Sequence, residues 1–255
     1  MFNQYSKHSF KELNAKLKKS ITNNVKLLAQ NSKTKHLFYT NYYYKDDILV
    51  EQGKEVDGIY FIIKGKIKIF NVENLKSTIL RLGSTGDIVG LSSLNFEYYW
   101  TSIAALDNVE AYFISRKNLK NILKDKPKLA FLLINYLSLN LQYFELRHKH
   151  NSLFSAKGKI TEALLLIANE FGKNTEQGIE LMECVQRKEL AALANTTYET
   201  VIRVLKKIEL KGAIKIENHK IIIKDKEYLL KSLKKQCNLS EDSKSNACSY
   251  LDLLY

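Results

Sequence analysis

Residues 187–210, RKELAALANTTYETVIRVLKKIEL, have the pattern of two short helices joined by a tight turn. The apolar residues of the second helix have the i, i+3, i+4, i+7 spacing of one buried face: Val201, Val204, Leu205 and Ile208. Asn195 stands in the turn, and asparagine is one of the few non-glycine residues that tolerate a left-handed backbone. Thr196 or Thr197 can then cap the second helix by accepting its free N–H groups. Together these features predict a helix-turn-helix.

The face opposite the apolar residues carries side chains suited to base edges in DNA. Glu199 and Arg203 lie one turn apart near the start of the second helix, where recognition helices contact bases. Glutamate accepts a hydrogen bond from cytosine N4, and arginine donates two to guanine O6 and N7. We therefore predict base contacts by Glu199, Arg203 and the neighbouring Tyr198. We expect four surrounding residues to contact the DNA backbone: Lys188, Thr197, Lys206 and Lys207.

A purely structural interpretation of the same residues is also open. The spacing Thr196-x-x-Glu199 is that of a capping box. Glu199 and Arg203 also have the i, i+4 spacing of an ordinary helical ion pair. The structural and base-contacting interpretations can both hold.

The sequence around the helix-turn-helix predicts a winged domain. Residues 155–171 have a helical pattern that Gly172 would end at its C′ position, and 179–184 can form a short strand. After Gly212, which we expect to stop the recognition helix, residues 213–225 predict a hairpin around Asn218 and His219. Two lysines of this wing are suited to phosphate contact, although a solvated wing would also carry lysines: Lys215 and Lys220.

Composition permits nucleic-acid binding but does not prove it. The formal net charge is +13 at pH 7, which suits a polyanionic partner. Three scattered cysteines without a C-x-x-C pair indicate neither a disulfide framework nor a metal site. We find no signal peptide and no apolar run long enough for a membrane, so we expect a cytoplasmic protein. No nucleophile–base pair or phosphate loop suggests an enzyme.

The first half of the chain predicts a β-roll. Residues 1–36 favour one or two helices, and short β-rich segments separated by glycines follow. Lys64 and Gly65 suggest a hairpin turn between two of these segments. Evenly spaced short strands with glycine turns are typical of a small barrel or double-sheet roll. The predicted strands are 38–44, 47–51, 59–64, 67–72, 77–82, 102–106 and 109–114.

Pro127 opens a predicted long helix. Its apolar residues repeat at alternating steps of four and three, which is the heptad pattern of paired helices. We predict homodimerisation through this face, with packing on the roll as the alternative. A hinge is expected at 151–154. The predicted dimer residues are Ala130, Ile134, Leu137, Leu141, Phe144 and His148.

These segments resemble a known family. Residues 50–70, VEQGKEVDGIYFIIKGKIKIF, and 83–94, GSTGDIVGLSSL, look like the cyclic-nucleotide-binding roll, and 190–203 include LAALAN and ETVIR. The chain thus resembles Crp/Fnr transcription regulators over roughly 38–230. The resemblance implies a half-site with a TTGA- or GTGA-like core, with its G·C pair under Arg203, and RNA polymerase as a partner if the protein activates transcription.

The departures from that family concern the ligand site. Leu91 stands where cyclic-nucleotide binders place a glutamate for the ribose, and Tyr99 and Trp100 stand near their phosphate-binding Arg–Ser pair. No arginine occurs between Arg81 and Arg116, and a buried phosphate without a cation is costly. We therefore predict no cAMP or cGMP binding, and a site at Leu91, Tyr99 and Trp100 that the aromatics of 95–101 fill.

Other cofactors are argued against less directly. The N-terminal cysteine cluster of iron–sulfur sensors in this family is absent from the sequence. A flat apolar ligand such as haem stays open as the alternative to a filled site. Haem would need an axial ligand, and surface positions explain the candidate histidines more simply: His8, His36, His148 and His150.

We therefore predict an α+β protein with a jelly-roll-like N-terminal β-roll, a long dimerisation helix and a C-terminal winged helix-turn-helix. The expected divisions are 1–126, 127–152, 153–236 and a tail at 237–255. The function predicted is that of a homodimeric regulator that binds an inverted repeat in double-stranded DNA. The alternative is a regulatory module whose helix-turn-helix docks a protein.

Overall fold

The computed structural model describes residues 10–181, 185–218 and 220–237. They divide into two compact units, one of residues 12–142 and the other built from residue 143 onward together with residues 10–11. The predictions for residues 1–9, His219 and the tail from 238 lie outside the described residues.

Eight strands form the predicted roll as two antiparallel four-stranded sheets, of order β1-β8-β3-β6 and β2-β7-β4-β5. All seven predicted strand segments are confirmed, and β6 is an additional short strand. The strands are β1 (Phe38–Tyr43), β2 (Ile48–Val50), β3 (Gly58–Lys64), β4 (Ile67–Glu73), β5 (Lys76–Gly83), β6 (Ile88–Val89), β7 (Ser102–Ala105) and β8 (Val109–Ser115).

Strand β3 separates two apolar cores. Tyr60 and Ile62 point into the roll, whereas Ile59, Phe61 and Ile63 face a second core shared with helices. Because successive side chains of a strand point to opposite faces, a strand covered on both faces has a continuous apolar sequence.

The predicted hairpin at Lys64 and Gly65 is wrong. Strand β3 pairs with β6 and β8, while β4 pairs with β5 and β7, so the chain changes sheets at Gly65. Gly65 has φ +102°, and a Cβ there would lie 2.5 Å from the carbonyl oxygen of Asn108. A glycine is therefore required for the crossing between sheets.

Helices α1 (Phe10–Gln30) and α2 (Arg116–Asp125) and the first part of α3 (Pro127–Leu153) cover the second core. Pro127 begins α3 as predicted. The hinge expected at 151–154 is wrong for 151–153, which remain helical. The Phe154 N–H still donates to the His150 carbonyl at 2.8 Å, as in a helix. Only Phe154 and Ser155 therefore separate α3 from the next helix.

The second unit is a winged helix-turn-helix. It contains α4 (Ala156–Phe171), β9 (Lys173–Thr175), β10 (Gly178–Leu181), α5 (Arg187–Leu193), α6 (Tyr198–Glu209), β11 (Ile214–Glu217), β12 (Lys220–Ile223) and α7 (Lys226–Cys237). The four strands form one antiparallel sheet of order β11-β12-β10-β9. Helix α7 and strand β9 were not predicted, and the predicted strand at 179–184 is described only as far as Leu181.

Gly172 ends α4, but not by the left-handed turn that we predicted. Its backbone is extended, with φ −65° and ψ 140°. A Cβ at this position would lie 2.3 Å from the Ala168 carbonyl oxygen. The glycine thus serves close packing rather than a positive φ.

Candidate nucleic-acid interface

The turn between α5 and α6 is built as the sequence predicts. Asn195 has φ +46°, and Thr197 is the N-cap of α6, its hydroxyl oxygen accepting from the Thr200 N–H at 3.3 Å. The same hydroxyl donates to Thr200 Oγ1 at 3.1 Å. The capping box predicted at Thr196 and Glu199 is therefore wrong, and the Thr197 hydroxyl predicted to meet DNA already has partners in the chain.

Helix α6 buries its apolar face and exposes its polar one. The four predicted core residues are no more than 6% exposed. Glu199, Arg203, Lys206 and Lys207 are exposed, and Tyr198 is 45% exposed. Within the described part of the chain no ion pair joins Glu199 to Arg203, so the expected structural pair does not form. Both side chains are directed to the surface of the unit.

A groove of about 510 Å³ brings three of the predicted DNA-contacting residues together. Its lining includes Lys188 at the start of α5, Tyr198 at the start of α6, and Lys220 of the wing. It also includes Arg187, which the sequence argument did not select although it stands beside Lys188. These residues give the groove a basic rim next to the recognition helix.

The two wing lysines are paired with carboxylates in this structure. Lys220 Nζ lies 3.0 Å from Glu180 and Lys215 Nζ lies 2.7 Å from Glu217. The hydrogen bond from Lys215, together with its charge, lowers the pKa of Glu217 below its ordinary value. Phosphate contact by Lys215 therefore requires exchange of an exposed ion pair, which costs little in water, whereas Lys220 would have to leave a half-buried pair.

Most residues of the predicted dimer face of α3 are exposed among the residues that the structure describes. Leu129, Leu133 and Tyr136 bury the opposite face of this helix in the second core, so the alternative of packing the heptad face on the roll is excluded. Ala130 is half-buried and His148 is exposed. The other four are 42–62% exposed: Ile134, Leu137, Leu141 and Phe144.

The three residues of the predicted ligand site lie in different surroundings in the roll. Tyr99 is buried in the roll core, and its hydroxyl donates to Asp57 Oδ1 at 2.6 Å. Burial also raises the pKa of Tyr99. Trp100 is 64% exposed, and Leu91 packs against the second core instead. The structure therefore does not bring the side chains of the three residues into one site.

Family models match both halves of this architecture. A cyclic nucleotide-binding domain model matches residues 40–126, and a Crp-like helix-turn-helix domain model matches residues 158–232. Together they cover more than half of the chain. The chain belongs to the Crp/Fnr family of DNA-binding transcription regulators.

Relatives of this Crp/Fnr chain span most of its length. It is 28% identical over 189 residues to the anaerobic regulatory protein of Bacillus subtilis strain 168, covering 72% of this chain and 79% of that protein. It is 25% identical over 179 residues to the cAMP-activated global transcriptional regulator CRP of Escherichia coli O157:H7, covering 69% and 84%. A CRP/FNR family regulator from Thermus thermophilus has the same fold, with TM-score 0.68, 21% identity and coverage of 77% and 98%.

A buried charge cluster joins the end of α3 to the helix-turn-helix of this Crp/Fnr chain. Glu162 of α4 is fully buried and contacts both Arg147 and Nδ1 of His150. Arg147 also donates to the Leu193 carbonyl at 3.0 Å, just before the turn at Asn195. His150 is 1% exposed, so the prediction of a surface histidine is wrong for it. The cluster fixes the last turns of α3 against the start of the DNA-binding motif.

A second buried network lies in the Crp/Fnr roll, in the segment whose sequence resembles the family loop. Asp87 is fully buried, 2.7 Å from Lys18 Nζ and 2.6 Å from Arg81 Nη1. Tyr136 of α3 donates to the same carboxylate at 2.8 Å. Burial alone would raise the pKa of Asp87, but the charges of Lys18 and Arg81 outweigh it and hold the pKa well below its usual range.

The other described histidines of the Crp/Fnr chain are surface residues. His36 and His148 are exposed, and His8 lies outside the described residues. Over 10–181, 185–218 and 220–237, no three metal-ligating side chains come together. Over the same residues no helix has the length and apolar character needed to span a bilayer.

Proposed function

We propose that this Crp/Fnr regulator binds an inverted-repeat operator as a homodimer, contacts bases through Glu199 and Arg203, and does so without cAMP. RNA polymerase is its further partner at promoters where it activates transcription. The observation that carries the proposal is the exposed pair Glu199 and Arg203 on the capped, firmly packed helix α6.

The geometry of α6 suits insertion into the major groove. Its apolar face is held in the core of the winged unit, and its first turn begins at a cap and presents Glu199. Arg203 follows one turn later on the same exposed side. An exposed guanidinium can donate to guanine O6 and N7 together, and the carboxylate can accept from a neighbouring cytosine. Lys188, Lys206 and Lys207 surround the pair with positive charge suited to phosphates.

The uncovered heptad face of α3 supports the homodimer. Alternating steps of four and three place its apolar residues along one line, as in two-stranded coiled coils. A twofold axis between the α3 helices of two protomers would also relate their two α6 helices. Two recognition helices ~34 Å apart would then enter successive major grooves and require an inverted repeat.

The test is selection of bound sites from a random DNA pool with wild-type protein and the Arg203→Ala variant, without added ligand. We expect an inverted repeat for the wild type. Arg203→Ala should lose about 1–3 kcal/mol per half-site on that operator and accept other bases at one position of each half-site. Lys206→Ala is the matched control, because it should weaken all sequences alike and reduce the salt dependence by about one phosphate contact per protomer.

Two results would contradict the assignment of Arg203. One is an equal loss of affinity by Arg203→Ala on operator and random DNA. The other is an unchanged base preference at every position of the selected site.

The arrangement of the roll supports independence from cAMP. Arg81 is bonded to Asp87, and Arg116 donates to the carbonyl oxygens of Phe96 and Val56 at 2.7 and 3.3 Å. The sequence contains no further arginine between Arg81 and Arg116. Tyr99 adds a phenol ring to the roll core. A cyclic phosphate entering this core would therefore lack the guanidinium that compensates its desolvation.

We accordingly expect millimolar cAMP to leave the melting temperature of this protein unchanged, since a ligand stabilises a protein only when it binds the folded state. Differential scanning calorimetry measures this. The cAMP-activated Escherichia coli relative, measured alongside, should show a clear upward shift. A comparable shift for this chain would refute independence from cAMP.

A further inference from the structure

One aliphatic residue of α6 does not join the core. Val201, Val204, Leu205 and Ile208 are no more than 6% exposed, whereas Ile202 is 38% exposed. A partly exposed isoleucine contributes little hydrophobic stabilisation to the fold, and its branched side chain is slightly unfavourable in a helix. The fold of the winged unit therefore does not explain an isoleucine at this position.

The position of Ile202 suggests what it contacts. It directly precedes Arg203 and lies three residues after Glu199, so it belongs to the face proposed to enter the major groove. Tyr198, also partly exposed, stands one turn before it on the same side of the helix. Ile202 is thus the aliphatic group among the charged side chains that face the DNA.

The major groove offers one apolar group among its base edges, which is the C5 methyl of thymine. The other three bases present hydrogen-bond donors and acceptors without a methyl group there. An aliphatic side chain held at the base edges therefore distinguishes thymine by excluding water from its methyl group.

We propose that Ile202 specifies a thymine in each half-site by packing against its C5 methyl group. This inference rests on the proposed function, because it requires α6 to lie in the major groove. It adds a base preference that neither Glu199 nor Arg203 provides.

Replacing thymine by deoxyuridine removes only the methyl group and tests the inference directly. Each symmetric pair of thymines in the selected operator is replaced in turn, and affinity is measured for wild type and Ile202→Ala. At one pair, we expect the wild type to lose about fourfold per half-site, or roughly fifteenfold for both. Ile202→Ala should bind the two DNAs within twofold of each other. Placing cytosine or 5-methylcytosine at that position should show the same preference of the wild type for the methyl group.

Two further variants separate Ile202 from other exposed apolar residues. Leu210→Ala removes a side chain that is 77% exposed beyond the end of α6, and it should keep the full deoxyuridine effect. Tyr198→Ala should keep it too. All three variants change exposed side chains, so melting temperatures equal to that of the wild type are expected and verify that each is folded.

The outcomes distinguish this inference from the function on which it rests. If no operator is selected, or if Arg203 does not affect base preference, the proposed function fails first. If an Arg203-dependent operator is found but no thymine shows an Ile202-dependent methyl effect, only the inference is overturned. A methyl effect abolished by Tyr198→Ala and retained by Ile202→Ala also overturns it.

Discussion

Replacing Asp87 by asparagine is expected to lower the free energy of unfolding by about 3–5 kcal/mol, because it removes one side of a buried ion cluster. The Asp87 carboxylate is fully buried between Lys18 and Arg81. Asparagine has nearly the same volume, so the loss does not come from a cavity. It comes from the loss of the negative charge beside Lys18 and Arg81, and from the loss of a charged acceptor for Tyr136 and the Ser84 N–H.

The loss should also depend on pH. The pKa of Asp87 is lowered in the folded protein, whereas an aspartate in an unfolded chain titrates near about pH 4. Between these two values the unfolded state binds more protons, so the stabilisation by Asp87 is fully present above that window and is lost as pH falls through it. The difference in stability between wild type and Asp87→Asn should therefore be largest near neutral pH and shrink below about pH 4.

Denaturant titration of the full chain measures both effects. The single tryptophan, Trp100, lies in the roll and reports on that unit. Glu51→Gln is the matched control, because Glu51 pairs with Lys54 at 3.7 Å on the surface, and such pairs contribute about 0–1 kcal/mol. A loss for Asp87→Asn no greater than for Glu51→Gln would show that the buried cluster does not stabilise the fold.

The parts predicted correctly from the sequence are those set by local spacing. The helix-turn-helix follows from the i, i+3, i+4 pattern around Val201 and from Asn195 in the turn, which are interactions within a few residues. Strand positions likewise follow from short β-rich runs between glycines. Helix α7 was missed although Leu229 and Leu233, one turn apart, are buried, because lysines make up much of the remaining sequence.

Strand pairing and buried charges were not predictable in the same way. The change of sheet at Gly65 depends on β8 filling the place beside β3, and β8 lies far along the chain. Glu162 has an ordinary place in a helical pattern, and only the folded chain brings Arg147 and His150 to it. Such partners are separated in sequence, so neither propensity nor periodicity identifies them.

The candidate DNA interface shows the same division. Exposure of Glu199 and Arg203 follows from helical periodicity once the opposite face is buried. The ion pairs of the wing do not, because Lys220 meets Glu180 from another strand. Helical periodicity places Ile202 outside the apolar face of α6, but the extent of its exposure is visible only in the folded helix.

Substituting aspartates for Leu137 and Leu141 together should dissociate the proposed homodimer and lower operator affinity by roughly 10³-fold or more, from specific toward non-specific binding. The two leucines are 44% and 62% exposed in the protomer. They are neighbours on the apolar heptad face, four residues apart. In a dimer they would be buried against the partner helix, where unpaired carboxylates are strongly unfavourable. Since neither residue belongs to the two cores of the roll, the protomer should remain folded. Without the twofold axis each α6 binds one half-site alone, and the combined affinity of two linked sites is lost.

Analytical ultracentrifugation gives the oligomeric state, and a gel shift on the selected operator gives the affinity. The matched control is the double variant Lys128→Asp with Gln142→Asp. It adds two carboxylates at exposed positions of α3 outside the apolar heptad face and should remain dimeric. If the leucine variant also stays dimeric, the heptad face is not the dimer interface. If it becomes monomeric and still binds the full operator with wild-type affinity, the two recognition helices do not act together. The inverted repeat would then have to arise from independent binding of two protomers. Only a rigid twofold pairing of the protomers fixes the spacing between the two half-sites.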